Sequence, residues 1–143
     1  MATQPATSVL MFIAHRDAES RVMAALARAG VDLTVAQSRL LQRLDPAGMR
    51  LTDLAEQARV TKQTAGALVD QLERAGYVVR RPDPTDARAR LVTLSDRGVQ
   101  LCRLAADEVA AIEQEWRNHL GDKDYNALRT ALVSLRAITD PYR

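Results

Sequence analysis

The feature that most constrains the fold is a change of periodicity after Gly76. Upstream of it, apolar residues recur every three or four positions, as on amphipathic helices. Two short runs rich in β-branched residues follow, Tyr77–Arg81 and Arg90–Leu94, with the turn-forming segment Pro82–Ala87 between them. Helical spacing returns after Ser95. This pattern predicts a β-hairpin set within a chain that is otherwise helical.

Capping signals and breakers divide the rest of the chain into six predicted helices. The second helix begins at Thr34, whose spacing from Gln37 is that of a capping box, and Pro46 and Gly48 end it. The predicted helices cover about 9–29, 34–45, 52–58, 61–75, 95–120 and a C-terminal stretch after Gly121. The predicted fold is therefore mainly α with a small β-hairpin, in the order α-α-α-α-β-β-α-α.

The amino-acid composition argues against a membrane protein, a secreted protein and an enzyme. Aromatic residues make up only 3% of the 143 residues, so the core must consist of Ala, Leu and Val. The chain has no long apolar run and no secretion signal, which leads us to expect a cytoplasmic protein. Cys102 is the sole cysteine and lies on an apolar stripe, where a buried filler is favoured over a redox sensor. We expect no metal, no cofactor and no catalytic site.

Charge is distributed unevenly along the chain. Residues 74–103 hold seven arginines against three aspartates, whereas residues 104–128 hold six acidic residues against two basic ones. A basic segment beside an acidic one is expected where one part of a protein faces a polyanion.

Two short helices followed directly by a hairpin form a winged helix-turn-helix. The second helix of such a pair enters the DNA major groove, with its N-terminal residues near the base edges. The apolar stripe of this helix runs from Ala65 to Leu72, so its outward face carries, in order, Lys62, Gln63, Thr64, Gly66 and Ala67. Lys62 suits phosphate or guanine and Gln63 suits adenine, although either can be an ordinary solvated side chain.

The hairpin forms the wing, and its arginines are the expected minor-groove contacts. Arg88 and Arg90 lie near the tip, with Arg81 and Arg80 on the opposing strand. We expect Asp86 to hold the Arg88 guanidinium by a charge-assisted bond. Arg90 has an alternative role, in which it pairs with an aspartate of the turn, Asp83 or Asp86.

At these residues the sequence resembles the MarR family of bacterial regulators. The resemblance is carried by the segments 51–55, 60–64, 68–78, 81–90 (RPDPTDARAR) and 92–98 (VTLSDRG). It implies a homodimer on palindromic DNA, with Lys62, Gln63 and Thr64 on the recognition helix and Arg88 and Arg90 on the wing. Family members often carry Thr-Arg where this chain has Gly66 and Ala67, which puts its base specificity in question.

The predicted domains follow from this reading. Residues 1–33 and 118–143 are assigned to dimerisation, 34–97 to the winged helix-turn-helix and 98–117 to a connecting helix. The apolar stripes of the terminal helices have little chain left to cover them, which favours a dimer. The predicted interface residues are Leu10, Tyr125, Leu128, Leu132, Leu135 and Ile138.

The resemblance also implies an effector pocket between the dimerisation helices and the winged domain. Its expected ligand is a phenolic or other small aromatic anion, and its candidate residues are Phe12, His15, Arg16 and Arg39. Trp116 is favoured as core or interface packing over a wall of this pocket.

These predictions combine into a DNA-binding repressor that blocks polymerase by occupying a palindromic operator as a homodimer, until a small effector releases it. A winged-helix module that binds protein without DNA is the alternative. An enzyme with an unrecognised site is a weaker rival, since no cluster of titratable residues is apparent in the sequence.

Overall fold

The computed structural model describes residues 3–142. Its elements in chain order are α1 (Thr7–Arg28), α2 (Val35–Gln42), α3 (Leu51–Ala58), α4 (Lys62–Arg74), β1 (Val78–Asp83), β2 (Asp86–Leu94), α5 (Asp96–Leu120) and α6 (Asp122–Thr139). This order and the mainly helical class confirm the predicted fold. Residues 1, 2 and 143, which belong to the predicted dimerisation segments, lie outside the described residues.

Side-chain caps explain where the helices begin. The Thr34 hydroxyl accepts from the Gln37 amide at 3.1 Å, and the Gln37 side chain accepts from the Thr34 amide at 3.0 Å, which completes the predicted capping box. Ser95 acts at the start of α5, where its hydroxyl accepts from the Gly98 amide and donates to the carbonyl of Gly76. That second bond ties α5 to the chain just before β1.

The hairpin is longer and tighter than predicted. Both Asp83 and Asp86 belong to strands and pair with each other, so the turn itself is only Pro84 and Thr85. The prediction of a loop over residues 82–87 was therefore wrong at both of its ends. The register shifts between Pro82 and Asp83, which leaves residues 87–89 of β2 without partners on β1.

Two compact units make up the chain. Residues 23–105 form one, and residues 3–22 with 106–142 form the other, so that α1 and α5 each contribute to both. The first unit contains α2, α3, α4 and the hairpin. Its core consists of the buried side chains of Leu26, Leu40, Leu54, Ala65, Val69, Leu72, Val78 and Val92. Each buried leucine or valine contributes about 1.5–3 kcal/mol.

In the second unit, a bidentate ion pair joins α1 to α5. The guanidinium of Arg21 donates to the two carboxylate oxygens of Glu115 at 2.5 and 2.8 Å, and this contact lowers the pKa of Glu115. Ile112 and Tyr125 are buried, and the guanidinium of Arg117 lies 4.3 Å from the centre of the Tyr125 ring.

None of the helices within residues 3–142 has the length and apolar character needed to span a membrane.

A short segment before α3 adds a third strand-like contact to the hairpin. Met49 forms an isolated antiparallel bridge with Val92, through N–H to O distances of 3.1 and 2.8 Å. Gly48 precedes it with φ at +90°, and a Cβ at this glycine would lie 2.6 Å from Cγ2 of Thr93. Gly48 was predicted only to end α2, whereas the structure also requires it for this close approach.

Replacing Gly48 by alanine is expected to destabilise the winged unit by about 2–4 kcal/mol. The new methyl group meets a stiff β-branched side chain in addition to the strain of a positive φ. Chemical denaturation of the variant measures the loss. Gly30→Ala is the matched control, because Gly30 has φ at +80° but nothing within 4 Å of its Cβ position. Equal losses in the two variants would contradict the assigned role of the close approach.

Candidate nucleic-acid interface

Helix α4 is fixed by its apolar stripe and by a cap. Ala65, Val69 and Leu72 are buried, and the Thr61 hydroxyl accepts from the Thr64 amide at 3.0 Å. Before this cap, Arg59 adopts a left-handed conformation (φ 58°) that ends α3 and turns the chain. These constraints leave one face of α4 directed to solvent.

The predicted recognition residues lie largely on that face. Lys62, Gln63, Thr64 and Ala67 are exposed, and the Lys62 ammonium makes no ion pair with residues 3–142. Gly66 differs from them, because it is half-buried and its Cβ position lies 3.6 Å from Cδ2 of Leu51. Gly66 therefore faces α3 and offers little surface to a ligand.

The wing arginines fall into two groups. Arg81, Arg88 and Arg90 are exposed, and within the described chain their side chains make no hydrogen bond or ion pair. Arg80 is held instead by two acids of α4, since its guanidinium lies 2.7 Å from Asp70 and 2.9 Å from Glu73. The strand thus carries one arginine that fastens it to α4 and others that remain available to a polyanion.

Asp86 was predicted to hold the guanidinium of Arg88, and this prediction was wrong. Its carboxylate accepts from the backbone amide of Arg88 at 3.0 Å, and not from the Arg88 guanidinium. Its other oxygen lies 3.8 Å from Nη2 of Arg50. Asp86 shapes the backbone at Arg88 and leaves that side chain unpaired. The alternative in which Arg90 pairs with Asp83 or Asp86 does not occur either.

Asp83 is the buried polar centre of the wing, with 8% of its surface exposed. One oxygen accepts from the amide and the hydroxyl of Thr85 at 2.8 and 2.7 Å, which closes the turn. The other accepts a hydrogen bond from Nε of Arg50 at 3.0 Å and lies 2.9 Å from Nη2 in an ion pair. The hydrogen bonds from Thr85, and then the Arg50 guanidinium, lower the pKa of this carboxyl and keep it ionised.

Arg50 is the residue of this region that sequence reasoning missed. It lies 33 positions before Asp83, and no local pattern indicates that pairing. The turn itself had a recognisable signal, because an aspartate followed two residues later by a threonine is typical of a side chain that bonds to the backbone of its own turn.

The candidate effector residues are distributed over both compact units. Phe12, His15 and Arg16 lie on the exposed first half of α1, where the Arg16 guanidinium is 5.7 Å from the centre of the Phe12 ring. Arg39 is exposed on α2, in the unit formed by residues 23–105. The effector pocket remains a prediction. Cys102 is half-buried, and burial raises the pKa of its thiol, which favours the filler role over redox sensing.

Comparison with known proteins yields a family match. A family model described as the MarR family matches residues 31–89. The transcriptional activatory protein BadR of Rhodopseudomonas palustris is 33% identical over 93 residues, which cover 65% of this chain and 52% of BadR. This chain thus spans about half the length of that curated relative.

Solved structures cover nearly the whole chain. The transcriptional repressor CouR bound to a 23-mer DNA duplex is 26% identical, with a TM-score of 0.70 over 91% of this chain and 92% of CouR. NadR in complex with 4-hydroxyphenylacetate is 25% identical, with a TM-score of 0.72 over 96% of this chain and 99% of NadR. By their names, BadR and CouR are both regulators of transcription.

Proposed function

We propose that this chain is a MarR-family, DNA-binding regulator of transcription that acts as a homodimer. The observation that carries this proposal is the set of unpaired cations on the two DNA-facing elements of a winged helix-turn-helix. Lys62 on α4 and Arg81, Arg88 and Arg90 on the hairpin are exposed, and no carboxylate of the described chain neutralises them. Exposed arginines held on a rigid hairpin suit the phosphates and the narrow minor groove of DNA.

The proposed DNA contacts are of two kinds, those that recognise bases and those that hold the DNA backbone. Lys62, Gln63 and Thr64 enter the major groove, where Gln63 can donate to and accept from adenine. Arg81, Arg88 and Arg90 contact the DNA backbone and the minor groove. These contacts increase affinity for DNA but contribute little to base specificity. Since Ala67 adds no polar group, base readout rests on few side chains and DNA shape supplies the rest.

Control of transcription follows from occupancy. A bound dimer that covers two half-sites blocks polymerase, which makes repression the proposed outcome. CouR is named a repressor, whereas BadR is named an activatory protein, so relatives of both kinds exist. A reporter fusion to a recovered operator decides between the two directions for this chain.

The first prediction concerns DNA selection. From a pool of random duplexes, the protein is expected to retain a palindrome with half-sites about 10 base pairs apart, as two-fold symmetry requires. Arg88→Ala and Arg90→Ala should each weaken binding and reduce the slope of log K against log salt by about 0.9 per lost phosphate contact. Arg103→Ala, an exposed arginine outside this surface, is the matched control. Absence of retention even at low salt would exclude DNA binding by the free protein and favour the protein-interaction alternative.

The homodimer is supported by apolar side chains that the chain itself leaves uncovered. Leu10 on α1 is 48% exposed, and Ile138 on α6 is 83% exposed. Leu128, Leu132 and Leu135 on α6 are likewise exposed and share the heptad-like spacing of an interface. Tyr125 packs within its own chain beneath Arg117, so the proposed interface rests on the other five residues.

A charge placed in this stripe should separate the protomers. Leu132→Glu is expected to raise the dimer dissociation constant at least 100-fold, because an unpaired carboxylate would be buried in the interface. Analytical ultracentrifugation at micromolar concentration measures the shift towards monomer. Ser134→Glu places the same charge on the opposite face of α6 and should leave the dimer intact. A wild-type chain that sediments as a monomer would contradict the proposed assembly.

We extend the proposal to a small aromatic acid as effector, bound by Phe12, His15, Arg16 and Arg39. The support is chemical, since these residues combine an aromatic ring with cationic groups, and NadR is a relative solved with 4-hydroxyphenylacetate. Such a ligand changes DNA affinity only to the extent that it binds the free and the DNA-bound conformations differently.

A thermal-shift titration with 4-hydroxyphenylacetate tests this site. Binding to the folded state should raise the melting temperature with ligand concentration, and Arg16→Ala should weaken apparent affinity about tenfold or more. Arg28→Ala, further along the same helix, is the matched control. If neither this compound nor a panel of related aromatic acids stabilises the protein, the effector proposal fails.

A further inference from the structure

A basic cleft lies between the wing and the helix-turn-helix, inside the unit of residues 23–105. Its cationic lining consists of Arg50, Lys62, Arg80 and Arg90, and the hydroxyl-bearing Thr52 lies beside them. Its floor is apolar, formed in part by Leu51 and Val92. No carboxylate of residues 3–142 lines it, and the acids that pair with Arg50 and Arg80 lie outside the lining.

Arg50 reaches this cleft through two constraints that do not depend on a ligand. The bridge between Met49 and Val92 fixes the backbone immediately before it against β2. Asp83 then fixes the guanidinium, since Nε donates to Oδ2 and Nη2 lies 2.9 Å from that same oxygen in an ion pair. A long side chain that would otherwise sample many rotamers is thus held in one orientation.

The remaining donors of these cations are free to bind an anion. The Arg50 side chain is 44% exposed, and its Nη1 makes no contact with a hydrogen-bond acceptor of residues 3–142. Lys62 and Arg90 have no ion pair within the same range. Arg80 is less available, because Asp70 and Glu73 occupy both of its terminal nitrogens.

We propose that this cleft binds a phosphate group of the DNA backbone, with Arg50 as a direct ligand beside Lys62 and Arg90, and with Asp83 as the residue that positions Arg50. This inference rests on the proposed DNA-binding function and adds a contact outside the recognition helix and the wing. A phosphodiester oxygen suits the cleft, because guanidinium and ammonium groups are strong donors to phosphate oxygens and Arg50, Lys62 and Arg90 line the same cleft.

Asp83 has a second consequence, since it joins two parts of the interface. The carboxylate that orients Arg50 also closes the wing turn through Thr85. The orientation of the Arg50 guanidinium and the shape of the wing turn therefore depend on a single side chain.

The variant Asp83→Asn separates positioning from long-range charge. An asparagine oxygen can still accept from Thr85, whereas its NH₂ group would face the Arg50 donors and repel them. Removal of a negative charge near DNA should by itself raise affinity. If Asp83 positions Arg50, affinity should fall instead, on the order of fivefold or more, although the protein has become more positive.

Binding of full-length wild type and variants to one duplex, at several salt concentrations, tests the assignment. Arg50→Ala should weaken binding about tenfold and reduce the salt slope by about 0.9, as expected for one lost phosphate contact. Arg50→Lys keeps the charge but lacks the fork, and should recover the slope while affinity stays low. Arg103→Ala, an exposed arginine outside the cleft, should change neither quantity. Circular dichroism verifies that each variant is folded.

The outcomes distinguish this inference from the proposed function. If the wild type binds DNA and Arg50→Ala keeps its affinity and slope, the phosphate contact is overturned while DNA binding stands. If the wild type fails to bind any duplex, the proposed function falls and the inference with it. Inorganic phosphate is the remaining probe. If it binds the free protein at millimolar concentration, loses this binding in Arg50→Ala and does not compete with DNA, the cleft is a site for free phosphate and the DNA contact is overturned.

Discussion

The antiparallel bridge between Met49 and Val92 is the contact on which the geometry of the candidate interface depends. It forms because Gly48 lacks a side chain where Thr93 leaves no room for one. The bridge brings the start of α3 to the base of the wing, and thereby places Arg50 within reach of Asp83. The helix-turn-helix and the hairpin are therefore joined by backbone bonds and an ion pair beside the apolar core.

Carboxylates neutralise only some of the arginines in this unit. Arg80 and Arg50 each have carboxylate partners and serve to fasten the hairpin. Arg81, Arg88 and Arg90 have none among residues 3–142, although aspartates lie close to them in sequence. Unpaired cations grouped on a surface repel one another, and solvent and salt reduce that cost without removing it. A polyanionic partner provides a physical reason for such an arrangement.

The other compact unit leaves apolar side chains without partners among residues 3–142. Its own core includes Ile112 and Tyr125, and the ion pair of Arg21 with Glu115 joins two of its helices. Large apolar side chains nevertheless remain exposed along α1 and α6. Uncovered apolar stripes of this extent mark association surfaces. The proposed DNA contacts and the proposed dimer interface thus draw on separate sets of residues, and two-fold symmetry would connect them.

The sequence by itself determined the elements and their order. Caps at Thr34 and Ser95, apolar spacing along α4, and β-branched runs around a Pro-Asp turn are local signals, and local energetics decide them. Only the tertiary structure decided which charges are paired. Asp83 binds Arg50 from 33 residues away, and Arg80 binds Asp70 and Glu73. Such partners depend on distances between elements, because an arginine pairs with whichever carboxylate the packed core brings within about 4 Å, and sequence spacing does not encode that distance.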